Sequence, residues 1–474
     1  MTSRRTFLKT VAGSVVVAAA SVDVWPLSAA PFLDDAAWQT VPDILARIKA
    51  PSFPSRDFDV SKFGAVGGDR TDNTAAFRAA ISACAAAGGG RVVVPAGTFV
   101  TGAIELKSRV NLHLADRETT IRFTRDLTKY PVVLTRFEGM ECFNYSPLVY
   151  AYEQEDIAIT GRGTLDGNSD CDHWWPWKGR TNCGWREGQP NQDDDRNTLM
   201  DMVERGVPAE QRRFGPGHYL RPSFIEPYRS RNVLIEGVTL KNAPMWQVHP
   251  VQCTNVTIRS LTIVADGPNT DGCDPESCRD VLIRNCSFDT GDDCIAIKSG
   301  RNADGRRLHA PSENIVIQDC RMKNGHGGLT IGSEISGGVR NVFAERCRLS
   351  SPQLDYAVRI KNNAMRGGLI ENIYVRDLDV GQVARAVATI DFYYEEADQG
   401  PFTPTVRHVV LERLNSHRAA YALYLRGFPN APIDDVRVVD CNFEGVEKGS
   451  LIEYASHLEV RGVRVNGKIV THLG

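Results

Sequence analysis

The sequence predicts an all-β chain, coiled as a single-domain parallel β-helix with a short helix capping its N-terminal end. Three observations lead there. A nine-residue phrase, a polar anchor followed by alternating apolar positions, recurs through the C-terminal half. The intervals between anchors vary while the phrase does not, which marks a solenoid with loops of variable length rather than a string of domains. No long helical pattern intervenes, and many of the 41 glycines punctuate short apolar runs, a composition of strands and turns.

The anchors are Asn232, Asn255, Asp280, Asn314, Asn341, Asn372, His408 and Asp435, spaced 23 to 36 residues apart, with weaker copies at Asp156 and His457. Each phrase alternates with period two, so each reads as a strand with one buried face. Strands that follow one another without crossover helices stack as coils, axial neighbours ~4.8 Å apart. The sixth residue after each anchor is Val238, Leu261, Cys286, Cys320, Cys347, Leu378, Leu414 or Cys441. The interleaved valine and leucines make this an inward ladder of small apolar side chains rather than a metal site. Upstream, residues 72–87 carry helical spacing at Ala76, Phe77, Ala80, Ile81 and Cys84, stopped by Gly88, Gly89 and Gly90. This helix is placed over the open end of the stack, which would otherwise expose apolar surface. Residues 168–222 form a long polar excursion holding Trp174, Trp175, Trp177 and Trp185. These tryptophans either stack on sugar rings or pin the loop to the coils.

The formal net charge of -3 offers no basic surface for nucleic acid. Arg4 and Arg5 precede an apolar run from Val11 to Val22, followed by Ser28, Ala29 and Ala30. This reads as a twin-arginine export signal over residues 1–30, too short to span a bilayer and cleaved after Ala30. Residues 31–474 are then a single parallel β-helix domain, periplasmic or secreted and free of the membrane after cleavage. Of the 12 cysteines, Cys171 with Cys183 and Cys273 with Cys278 are the loop-borne disulfide candidates.

Four motifs fall about one coil apart: Asn269-Thr270-Asp271, Gly291-Asp292-Asp293, Gly325-His326-Gly327 and Arg359-Ile360-Lys361. Singly, each is an ordinary turn or strand face. In register, their side chains line up along one face. Three carboxylates at one spot repel and raise at least one pKa. A protonated carboxyl beside ionised ones is what glycoside hydrolysis needs, and the adjacent Arg359 and Lys361 suit an anionic sugar.

These motifs, with the runs 57–65, 159–167 and 325–333, resemble glycoside hydrolase family 28, the polygalacturonases, over nearly the whole mature chain. The resemblance implies a right-handed parallel β-helix that hydrolyses α-1,4-galacturonosyl bonds of pectin with inversion. It implies no cofactor or metal, and a monomer acting on pectic polysaccharide or oligogalacturonide. Carried over, Asp292 is the general acid, Asp271 and Asp293 hold and deprotonate water, and His326 supports the acid. Arg359 and Lys361 bind the substrate carboxylate, Asn269 orients substrate or Asp271, and Tyr394 is a subsite residue. Inversion sets the acid and base carboxyls ~6.5–9.5 Å apart. Asp292 and Asp293 share the cleft only if the chain bends at Gly291.

The runs after Lys361 and Lys298 resemble bacterial exo-acting members. Arg301, Arg306, Arg307 and Arg366 either hold a chain end or are solvated loop charges. The tryptophan-rich excursion is expected to close one end of the cleft. A calcium-dependent lyase, a rhamnogalacturonan-directed hydrolase and a non-catalytic carbohydrate-binding β-helix stand as alternatives.

Overall fold

The computed structural model describes residues 33–473; the export signal proposed for residues 1–30 lies outside them. The strands stack in parallel ladders. In the longest, Val233 lies opposite Val256, then Val281, Ile315, Val342, Ile373, Val409, Val436 and Leu458 in turn. This is the register the anchors predict. The inward column is present, with every member from Val238 to Cys441 at most 1% exposed.

The anchors explain themselves in the backbone. All ten adopt left-handed φ values between 49° and 59°. Asn and Asp tolerate that region because their short polar side chains bond locally. They also bond axially: Asn232 Nδ2 donates to Asp156 Oδ1 (2.8 Å), and Asn255 Nδ2 to Asn232 Oδ1 (2.6 Å). Asn314, Asn341 and Asn372 continue the chain onto Asp280, Asn314 and Asn341. Each turn therefore draws on Asn, Asp or His at the same place, and the repeat is readable.

Two short helices, α1 (Leu33–Trp38) and α2 (Val41–Arg47), lie on the outside of the coils, where the repeat pattern predicts a solvated face. Trp38 packs edge-on to Phe343, 5.4 Å between ring centres, and Arg47 bridges to Asp280 at 2.8 Å. Val316, Phe343, Tyr374 and Val410 are apolar on this outer face, so their strands are buried on both sides. The predicted cap is α3 (Thr74–Ala86), with the five apolar residues named above all buried.

The excursion contains α4 (Asp193–Glu204). Trp174 and Trp175 pin it to the coils, while Trp185 bonds within its own loop to the Gln189 carbonyl. Trp174 is 1% exposed and packs against Tyr130 and Tyr145, and Trp175 Nε1 donates to the Ala243 carbonyl at 2.9 Å. An antiparallel hairpin, Val132–Phe137 with Met140–Tyr145, joins α4 in a second small core with Phe214 and Trp246. All 12 cysteines are free thiols, including the two candidate pairs. Cys278 instead stacks on Cys253 of the adjacent coil, whose N–H donates to its sulfur at 3.4 Å.

Leu378 sits fully inside the ladder, so Leu378→Ala is expected to cost about 2–5 kcal/mol. Chemical denaturation followed by fluorescence measures it.

Candidate active site

The strand Ser287–Thr290 ends where the chain bends at Gly291 and Asp292, and the next strand starts at Ile295. The expected turn is there. A Cβ at Gly291 would lie 2.2 Å from the Gly267 carbonyl oxygen, so only glycine fits. The bend brings two consecutive aspartates to one cleft. The Gly272 N–H donates to the Asp293 carbonyl at 2.9 Å, which sets Asp271 one coil before. The His326 N–H donates to the Asp292 carbonyl at 3.2 Å, one coil after. Arg359 lies opposite Thr330 in the strand that follows.

Asp271, Asp292 and Asp293 each place a carboxylate oxygen within 4.8 Å of the others. At their nearest oxygens the three are closer than the expected ~6.5–9.5 Å, because Asp292 and Asp293 follow one another at the bend and Asp271 stands one strand spacing away on the preceding coil. Asp293 is fully buried, with Lys361 Nζ 2.7 Å from Oδ2 and Arg359 3.3 Å from Oδ1. Its Oδ1 also accepts from Thr330 Oγ1 at 3.1 Å. Arg359 and Lys361, expected to meet the substrate carboxylate, thus face Asp293, two positions apart on one strand face. Their charges also lie 5.6 and 5.2 Å from the Tyr394 ring, which puts Tyr394 in the site. Tyr393 turns away to Phe428. A cation seated on the three carboxylates would have to displace Lys361 and Arg359 from Asp293.

Asp292 is the most accessible of the three, its side chain 17% exposed, and its Oδ1 lies 2.9 Å from His326 Nδ1. Burial opposes its ionisation, but the hydrogen bond and charge of His326, then Lys361 and Arg359, hold it below the usual carboxylate range. The same hydrogen bond and the Asp292 charge push His326 up to about 9. Asn269 Oδ1 accepts from the buried Arg221 at 2.8 Å, which turns Nδ2 toward Asp292 at 3.5 Å.

The raised carboxyl that crowding predicts is present, but it is Asp271. Burial, then the charges of Asp274 and Asp292, push it well above the usual range. Burial, partly offset by Lys298, does the same to Asp274, which has no hydrogen-bond partner at either oxygen. Sequence reasoning missed a second cluster around Lys298. Its Nζ lies 3.7 Å from both Asp271 and Asp274 and 3.0 Å from Glu334, over the Trp246 ring at 4.2 Å. Asp274, three residues after Asp271, carried a signal; Glu334 and Trp246 carried none.

These groups line a cavity of about 90 Å³ walled by Glu138 of the hairpin turn, Lys178, Arg196 of α4, Arg301 and Glu395. Glu138 takes Arg196 at 2.6 Å and Arg301 at 2.8 Å, and Arg301 also reaches Glu334 and Glu395. Arg301 and Arg366 are therefore buried ion-pair members rather than solvated loop charges. Arg306 lies over Phe402, and Arg307 pairs with Glu141. A larger open groove of about 1290 Å³, lined by His113, Arg117 and Arg162 on another part of the coils, contains none of the four motifs.

Residues 216–460 match the family model Glycosyl hydrolases family 28, and residues 58–130 match Rhamnogalacturonase A/epimerase, pectate lyase-like. The first match covers more than half the chain and contains all four motifs. The chain belongs to glycosyl hydrolases family 28. It is a glycoside hydrolase on a right-handed parallel β-helix. The crystal structure of a hyperthermoactive exopolygalacturonase from Thermotoga maritima superposes with a TM-score of 0.88 at 47% identity, over 91% of this chain and 96% of that one. A probable polygalacturonase of Vitis vinifera is 28% identical over 85% of this chain and 77% of that protein. An exo-poly-alpha-D-galacturonosidase of Dickeya chrysanthemi is 25% identical over 71% of this chain and 57% of that protein.

The Asp292–His326 pair holds one proton across neutral pH. Its mutual stabilisation is complete between about pH 4 and 6.5, the ordinary carboxyl and imidazole values. It is lost as pH rises through about 9, and at the acid end once pH falls through the lowered Asp292 value. The His326 ring is therefore expected to titrate near 9 by NMR. In Asp292→Asn it should return toward about 6.5, and an unmoved titration would break the pairing.

Proposed function

We propose that this enzyme cleaves α-1,4-linked galacturonic acid from the ends of pectic chains with inversion. The observation that carries the mechanism is the difference in depth between the carboxylates. Asp292 is partly exposed and shares a proton with His326, while Asp293 is fully buried and clamped by Lys361 and Arg359. That proton rests on His326, and Asp292 takes it through their hydrogen bond and passes it to the leaving oxygen as the glycosidic bond breaks. Asp293, clamped in its ion pair, reaches an anomeric carbon only through a water, which it deprotonates while Asp271, driven toward its neutral form, helps to orient that water. Direct attack by a recessed carboxylate is sterically unfavourable, and this supports inversion despite the close spacing. As a sugar carboxylate binds, Arg359 and Lys361 hold it together with Tyr394. Removing either acid–base partner by Asp292→Asn or Asp293→Asn lowers kcat by about 10²–10⁴-fold.

Exo action is supported by the wall that the hairpin, α4 and Arg301 build at the cleft. The 47% identical Thermotoga maritima exopolygalacturonase supports it too. A single chain supplies all of these groups, which supports a monomer as the working unit. Export by the twin-arginine route belongs to the same reading. It is supported by Arg4 and Arg5 and by free cysteines that suit folding before export. No helix among the described residues is long and apolar enough to cross a membrane.

A product time course on polygalacturonate and rhamnogalacturonan tests the proposal. Short uronates from the first minutes, slow loss of viscosity and a β-anomer by NMR are expected, on polygalacturonate alone. Long early oligomers rule out exo action, an α-anomer rules out inversion, and an unsaturated product absorbing in the ultraviolet rules out hydrolysis.

A further inference from the structure

Among the described residues, the cleft wall contains one cation whose side chain has no salt-bridge or hydrogen-bond partner. Lys178 ends the short 3-10 turn Trp175–Lys178 and lines the cavity that holds Asp292 and Lys361. Its backbone is held firmly. Trp174 and Trp175 are buried beneath it, and the Gln192 N–H donates to the Trp177 carbonyl at 2.8 Å. The nearest wall carboxylate, Glu138, is already taken by Arg196 and Arg301. Among the described residues the Lys178 ammonium has no hydrogen bond or salt bridge, although the charge of Glu138 acts on it from the same wall. Burial, opposed by Glu138, holds its ammonium below the usual lysine range. A partly desolvated, immobilised and unpaired cation gains most from an anion that enters the same cavity.

We infer that Lys178 binds the carboxylate of a second uronate unit, the terminal one seated against the wall, separately from the carboxylate met by Arg359 and Lys361. This rests on the proposed function for the identity of the chain. It adds the residue that tells an anionic chain end from a neutral one. Lys178 is supplied by the pinned excursion rather than by the coils, so the same segment closes the cleft and reads what fills it.

The test is calorimetric binding of trigalacturonate to Asp292→Asn, in which turnover is slowed, with and without Lys178→Gln. The second change is expected to raise Kd about 10- to 100-fold, the loss of one charge-assisted hydrogen bond, and Lys178→Arg should recover most of it. A parallel arm leaves the protein intact at Lys178. Reduction of the terminal carboxylate of trigalacturonate to an alcohol should weaken binding by the same factor, and Lys178→Gln should then add nothing. An unchanged Kd on either arm overturns the inference while leaving polygalacturonate hydrolysis by the wild type untouched. Lys178-dependent binding without hydrolysis of polygalacturonate sustains the inference and overturns the functional reading. Neither binding nor hydrolysis overturns both.

Discussion

The in-register hydrogen bonding between coils is the constraint on which everything else rests. Each strand repeats the position of the last at one strand spacing, so a side chain at a given place in the phrase stands directly over its counterpart. Inside the coil this stacks apolar side chains into a continuous core. At the turns it stacks Asn and Asp side chains whose amides bond along the axis. At the cleft it stacks acids. The closeness of Asp271, Asp292 and Asp293 is thus a property of the architecture before it is a property of the chemistry.

Such crowding is unfavourable unless charge is balanced locally, because a buried carboxylate without a partner is costly. The structure balances it unevenly. Asp293 receives two cations, Asp292 receives a histidine, and Asp271 shares one lysine with Asp274 and Glu334. Three chemically identical side chains therefore differ in charge state. One is clamped between two cations, one is held ionised beside a protonated imidazole, and one is driven toward its neutral form. The division of labour comes from the neighbours on the next coils, a pattern general to acid–base sites.

Much of this was legible in the chain. The anchors and their period-two phrases specify strand, face and register, since a strand slipped by one residue would turn its apolar side chains outward. The glycine before Asp292 marks the bend. What escaped reading has physical causes. Helices α1 and α2 cover an outer face that the alternation rule assigns to water, and strands buried on both sides lose the period-two signal. The close approach of the acids at their nearest oxygens comes from two consecutive residues at a bend and a third on the hydrogen-bonded neighbouring coil. Of the two readings for Arg301 and Arg366, the solvated loop charge fails because their carboxylate partners, Glu138 and Glu395, lie 163 and 29 residues away.

By itself the sequence determined the coil, its register, its N-terminal cap and which aspartates come together, because each is written in residues related by a single repeat. Only the tertiary structure decided which acid keeps a proton, which cation each one faces, and what walls the cleft. Those depend on side chains brought together from the hairpin at 132–145, the excursion at 168–222 and the loop at 394–396. No periodicity links these segments. Their meeting follows from packing against the coils, with Trp174 and Trp175 fixing where the excursion lies and hence where Lys178 stands.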